Sequence, residues 1–190
     1  MGEWILQEAC RQMKSWQDAH VVARDALISV NLSAKQFDQS GLVEMIGAVI
    51  QASGLDPHNL ELEITESTMM RAPELSGYIL QQLRDMGVKV AIDDFGTGYS
   101  SMSHLKLLPL TKLKIDKSFV SDIPQDTNDV AIARAIIALA SSLSLEVLAE
   151  GIETEQQRAF LTHEGCQSGQ GYLFSRPLDV MDFEAYMQNM

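Results

Sequence analysis

The sequence predicts an α/β protein whose parallel strands build a TIM-barrel-like (β/α)8 fold, incomplete at its N-terminus. Three observations predict it. Strand-like and helix-like stretches alternate six times through the 190 residues, which calls for parallel pairing and right-handed crossovers. Asn31, Glu63, Asp93, Asp94, Lys114, Glu150 and Gln170 stand at or near the carboxyl ends of six different strands. In a barrel those ends converge on one mouth, whereas a doubly wound open sheet would spread them along a crest. A closed barrel has eight strands and about 250 residues. The shortfall lies at the front of the chain and predicts two raw sheet edges and an uncovered barrel interior. The whole chain, 1–190, reads as one partial domain.

Trp4, Ile5, Ala9 and Met13 recur at helical spacing, predicting an amphipathic helix over about Glu3 to Trp16. Leu27 to Leu32 is a short apolar strand with Asn31 at its end. Leu42, Val43, Ile46, Val49 and Ile50 predict a helix over Gly41 to Ala52, stopped by Gly54 and Pro57. Leu60 to Thr65 alternates, with Leu60, Leu62 and Ile64 on one face and Glu61, Glu63 and Thr65 on the other. Glu74 to Met86 is the next helix, ended by Gly87. Val88, Val90 and Ile92 then form a strand that delivers Asp93 and Asp94. A loop follows in which Gly96 and Gly98 free the backbone and Thr97, Ser100 and Ser101 add hydroxyls. Met102 to Leu108 is a short segment closed by Pro109.

Lys112 to Asp116 is a further strand, Asp129 to Ser141 a helix with an Ile/Ala/Leu face, and Leu145 to Ala149 a strand reaching Glu150. Thr154 and Gln157 form a capping box that opens a helix to about His163. Cys166 to Tyr172 is a weak, glycine-rich strand, and Asp179 starts a last helix through Phe183 and Tyr186.

Fourteen basic residues face 26 acidic ones, a net charge of −12 with a pI near 4.6. No basic stripe exists to neutralise a nucleic-acid polymer or an anionic membrane, but a small anionic ligand stays open if metal ions offset it locally. The most apolar stretch, Val130 to Ile152, carries Arg134, Glu146 and Glu150 and is no membrane span. Met-Gly-Glu-Trp lacks the basic start and apolar run of a signal peptide. Cys10 and Cys166 lie far apart and read as reduced thiols of a cytoplasmic protein. His20, His58, His104 and His163 are isolated, which argues against a histidine zinc site.

Asn31 with Glu63, Asp93 and Asp94 is an oxygen-donor set, suited to Mg²⁺ or Mn²⁺ rather than zinc or copper. Two such ions, about 3.5–4 Å apart, polarise a phosphodiester and activate water. Asp93 is the natural bridging ligand. Lys114 would orient the attacking water or offset developing charge, and Glu150 would ligate metal or accept a proton. Each residue also has a plainer reading. Glu61 and Glu63 suit the solvated face of an edge strand, Lys114 with Asp116 and Glu150 suits an internal ion cluster, and Gln170 suits a turn.

Taken together, Val30-Asn-Leu-Ser-Ala34, Leu60-Glu-Leu-Glu-Ile-Thr-Glu-Ser67, Asp93-Asp-Phe-Gly-Thr-Gly-Tyr-Ser-Ser101, Leu113-Lys-Ile-Asp-Lys-Ser-Phe-Val120, Ala149-Glu-Gly-Ile-Glu-Thr154 and Gly169-Gln-Gly-Tyr-Leu-Phe174 resemble the EAL domain. That family comprises bacterial phosphodiesterases that open cyclic di-GMP to linear pGpG. The resemblance implies that Asn31, Glu63, Asp93 and Asp94 are metal ligands. It makes Lys114 and Glu150 the pair that organises water and metal, and places Gln170 at the same mouth. Glu66 and Glu153 would be supporting acids that fix the loop Phe95 to Ser101, with its Thr97 and Ser100. That loop and the neighbouring helix would lie at a homodimer contact.

One departure is large. The Glu-Ala-Leu motif that names the family, with its metal-binding glutamate and a nearby substrate-contacting arginine, has no counterpart here. The first barrel strands are missing with it. The expectation is a cyclic di-GMP phosphodiesterase domain with an incomplete two-metal site and weak or no turnover by itself. Two alternatives remain: a non-catalytic binding or dimerisation module, and a domain-swapped fragment completed by another chain.

Overall fold

The computed structural model describes residues 2–96 and 105–189. Six parallel strands form one sheet in chain order, β1 beside β2 and so on to β6. They are β1 (Ile28–Asn31), β2 (Leu60–Thr65), β3 (Lys89–Phe95), β4 (Lys112–Ile115), β5 (Glu146–Ala149) and β6 (Ser168–Gly169). The described α-helices are α1 (Gly2–Asp18), α2 (Ala34–Phe37), α3 (Leu42–Ser53), α4 (Glu66–Met70), α5 (Pro73–Asp85), α6 (Thr127–Ser142), α7 (Glu155–His163) and α8 (Val180–Gln188). The sheet is a half-barrel. β1 and β6 are its two edges, and at β1 the inward Ser29 and Asn31 are exposed while Val30, facing the helices, is buried.

Strand alternation sorts the two faces. Leu60, Leu62, Ile64, Val90, Ile92, Leu113, Ile115 and Val147 are buried beneath the helices, which contribute Leu6, Cys10 and Met13 from α1, Ile46 and Val49 from α3, Leu80 and Leu83 from α5, and Ile136 and Ala140 from α6. The alternate residues face the barrel interior, where the polar groups collect. Glu61 and Glu63 are therefore not on a wet edge: β2 lies between two strands, and both carboxylates are buried.

The predicted helices and strands are found, with ends moved by a few residues. Thr154 accepts the N–H of Gln157, whose amide oxygen in turn accepts the N–H of Thr154 at 2.9 Å, so the capping box opens α7 as the sequence requires. Asp179 caps α8 through the N–H of Asp182. α8 folds back on α1: Trp16 Nε1 donates to Glu184 at 2.9 Å, and its ring lies 4.5 Å from that of Phe183.

The predicted strand Cys166 to Tyr172 shrinks to Ser168–Gly169. Backbone bonds continue past it, from Ile152 N–H to Gln170 O and from Leu173 N–H to Ile152 O, but they skip Gly151, whose φ is 70°, and Gly171, so the regular ladder stops. The short helices α2 and α4 were not anticipated. Of the Met102 to Leu108 segment, only the part from Leu105 lies within the described residues, and the predicted Thr97, Ser100 and Ser101 lie outside them.

Candidate metal centre at the barrel mouth

The centre is organised by an irregularity in β3. Against β2 the strand pairs regularly as far as Thr65 with Asp93. Against β4, Ile92 faces Leu113 but Phe95 faces Ile115, so β3 holds one residue more than its partner between the two pairs. This is a bulge, and Asp94 within it takes a left-handed φ of 54°. In a regular strand adjacent side chains point to opposite faces. The bulge removes that restriction and lets two consecutive aspartates serve one site. Carboxylate oxygens of Asp93, Asp94 and Glu150 all lie within 4.8 Å of one another.

Lys114 is the counter-charge. Its Nζ lies 2.6 Å from Glu63, 2.9 Å from Asp93 and 2.7 Å from Glu150, and the side chain is only 3% exposed. Burial works against the ammonium, yet the hydrogen bonds to Glu150, Glu63 and Asp93 raise its pKa above the usual lysine range. Asp116, offered in the plainer reading as a partner of Lys114, is instead bonded to Asp94 and to Ser118.

Two of the acids are shifted upward as well. Burial, followed by the charges of Asp93 and Asp116, raises the carboxyl of Asp94 above its ordinary value. Burial also raises Glu150, with Lys114 opposing, while Gln170 Nε2 donates to Glu150 at 2.8 Å. Gln170 is thus part of the mouth rather than only a turn residue. Asn31 stands level with Glu63 on the exposed edge strand. Glu66, buried at the start of α4, accepts the N–H of Gly96 at 3.1 Å and ties down the end of β3. Glu153 is exposed; its backbone N–H bonds Gln157, and among the described residues its side chain has no hydrogen bond or ion pair.

A divalent cation fits these residues. Glu63, Asp93, Asp94 and Glu150 bring four carboxylates against the single ammonium of Lys114. Asp93 Oδ1 is buried and faces Lys114 Nζ at 2.9 Å, an ammonium it shares with Glu63 and Glu150. Oxygen donors with surplus negative charge are what a hard cation takes, and Asp93, Asp94 and Glu150, with Glu63 and Asn31, are the groups that would hold it.

The sequence reading missed three things: the bulge, the Asp94–Asp116 contact, and a second buried pair, Glu61 with Lys112, deeper in the barrel. The last had a signal. Glu61 and Glu63 recur two apart on β2, as Lys112 and Lys114 do on β4.

The EAL domain family profile matches residues 1–177. The bifunctional diguanylate cyclase/cyclic di-GMP phosphodiesterase MucR of Pseudomonas aeruginosa is 51% identical over 178 residues, covering 94% of this chain and 26% of that protein. The chain spans about a quarter of the length of the curated relatives it matches. Among solved structures, the PaMucR phosphodiesterase in complex with c-di-GMP superimposes with a TM-score of 0.91 at 50% identity, covering 95% of this chain and 72% of that one. A manganese and cyclic-diGMP complex of Klebsiella pneumoniae BlrP1 superimposes with a TM-score of 0.80 at 30% identity, over 90% of this chain and 42% of that one.

Proposed function

This chain belongs to the EAL domain family, and from that premise we propose that it is the metal-dependent core of a phosphodiesterase that opens cyclic di-GMP to linear pGpG. The observation that carries the reading is the bulge in β3, which lets Asp93 and Asp94 both bring a carboxylate oxygen within 4.8 Å of one on Glu150.

Bound Mg²⁺ or Mn²⁺ would supply Lewis acidity toward a phosphoryl oxygen and lower the pKa of a water. The chain's own groups do the rest. Lys114 holds Glu63, Asp93 and Glu150 in one arrangement and places positive charge where phosphoryl oxygens gain negative charge. Glu150, its pKa raised by burial and anchored by Gln170, takes up a proton at the mouth. Glu66 fixes the backbone where β3 runs into the loop beyond Gly96.

The 190 residues contain no Glu-Ala-Leu triplet, so the glutamate ligand that the resemblance places there is not among them. We take turnover by this chain alone to be weak for that reason, since affinity follows ligand number and charge. The proposal also includes a homodimer, supported by Leu75 and Leu107, which are 56% and 76% exposed and line one cavity of about 600 Å³.

Chromatography of nucleotides after incubation with cyclic di-GMP tests the activity. Slow pGpG formation with Mn²⁺, abolished by chelator and by Asp93→Asn, is expected. Robust turnover would remove the impairment, and metal-independent turnover would remove the mechanism.

A further inference from the structure

Below the metal centre a second ion pair repeats the geometry of the first. Lys112 Nζ lies 2.9 and 2.7 Å from the two oxygens of Glu61, and Ser29 Oγ donates to Glu61 Oε1 at 2.9 Å. The two charged side chains are 7% and 2% exposed, and Glu146, at 3.8 Å, gives Lys112 only a distant second carboxylate. Both pairs join β2 to β4 over the top of β3, which lies between them in the sheet.

The register makes the choice of partner informative. Glu63, Ala91 and Lys112 are level with one another across the three strands. Lys112 nonetheless bonds Glu61, one inward position toward the start of β2, just as Lys114 bonds back to Glu63. The fully buried Ala91 is the small side chain between the two rungs. Without Glu61 two carboxylates remain for the buried ammonium: Glu146 on β5, 58% exposed and 3.8 Å away, and Glu63, level with Lys112 across Ala91 and buried as Lys112 is. Glu63 already gives Oε2 to Lys114. A second ammonium on its other oxygen would withdraw it from any cation at the mouth.

We propose that Glu61 is a positioning residue that holds Lys112 away from Glu63 and so keeps Glu63 open to a divalent ion. The inference rests on the metal-binding reading above. It also gives the pair a reason to exist: a buried ion pair adds little stability over apolar residues of similar volume, so stability alone does not call for one.

The test is Mn²⁺ titration of the 190-residue protein by calorimetry, with melting in chelator alongside. Glu61→Gln should raise the half-saturating Mn²⁺ concentration about tenfold, within the range of outer-sphere substitutions at metal sites. Adding Lys112→Met, which removes the competing ammonium, should bring binding back to within about threefold of the parent. Parent-like Mn²⁺ binding by Glu61→Gln overturns the proposal. So does a double variant that melts like the parent yet binds as poorly as Glu61→Gln. If Glu61→Gln does not fold, Glu61→Asp, which draws the carboxylate back by one methylene, should show a smaller loss that Lys112→Met again relieves. A parent protein that takes up no Mn²⁺ would overturn the metal reading itself and this inference with it.

Discussion

Replacing Lys114 by methionine removes the one cation inside a cluster of four carboxylates while keeping most of the side chain's bulk. In the parent, Nζ contacts Glu63, Asp93 and Glu150 at 2.6, 2.9 and 2.7 Å from a position 3% exposed. Breaking one buried ion pair by deleting a partner costs about 3–5 kcal/mol, because the charge left behind is uncompensated. Here three carboxylates lose their partner together, so the upper half of that range is expected at neutral pH. For a chain of this size about 1 kcal/mol moves the midpoint by about 2–4 °C, so Lys114→Met should melt roughly 8–20 °C below the parent in chelator. Two modulations follow from the same picture. Acidification should shrink the gap, because Asp94 and Glu150, already raised by burial, take up protons readily. Mn²⁺ should restore part of it by returning positive charge to the cluster. Thermal unfolding at neutral and mildly acidic pH, with chelator and with Mn²⁺, reads all three effects. A variant that melts within about 2 °C of the parent at neutral pH, a small fraction of the expected loss, would show that Lys114 is not the counter-charge of this centre.

Asp94→Gly relieves a left-handed backbone at φ 54° and should stabilise the metal-free protein by up to about 1 kcal/mol, while weakening Mn²⁺ binding; thermal melting and calorimetry check the two halves separately. Mn²⁺ uptake should weaken as pH falls, since Asp94 and Glu150 lie above their ordinary values of 3.8 and 4.5 and are protonated sooner. By the same sign, these two groups favour the metal-free fold at low pH and lose that contribution as pH rises through their folded values. Calorimetry in buffers of different ionisation enthalpy should show proton release that grows toward acid. Glu66→Gln should spare the global melting point more than Lys114→Met does but speed hydrogen exchange at Gly96, whose N–H it holds. Leu107→Glu places a charge on the exposed apolar cavity beside α5 and should shift any dimer to monomer by light scattering.

The fold was legible because its signals are local. The Thr154 capping box, the Asp179 cap and the alternation of Leu60 to Ile64 each specify an element without reference to the rest of the chain. The residues of the centre were legible for a related reason, since a strand that ends in acids announces a barrel mouth. What the sequence withheld depends on how strands pair. The bulge needs the register of β3 against both β2 and β4, and nothing in Ile92-Asp-Asp-Phe95 alone states it. The Glu61–Lys112 rung joins strands that are not neighbours, so local alternation gives the face of each residue but not its partner. The sixth strand is shorter than composition suggests because the chain after β5 turns at Gly151, φ 70°, so the bonds to Gln170 and Leu173 lose the regular spacing of a ladder.

The central claim is that the carboxylates gathered by the β3 bulge hold divalent ions on which cyclic di-GMP recognition depends. Calorimetric titration of the 190-residue protein with cyclic di-GMP, once in Mn²⁺ and once in chelator, addresses it most directly. The account predicts saturable binding in Mn²⁺ that is lost, or weakened at least tenfold, in chelator, as expected when a charge-neutralising ion is withdrawn from an acidic site. Equal binding in both, or none in either, would contradict it.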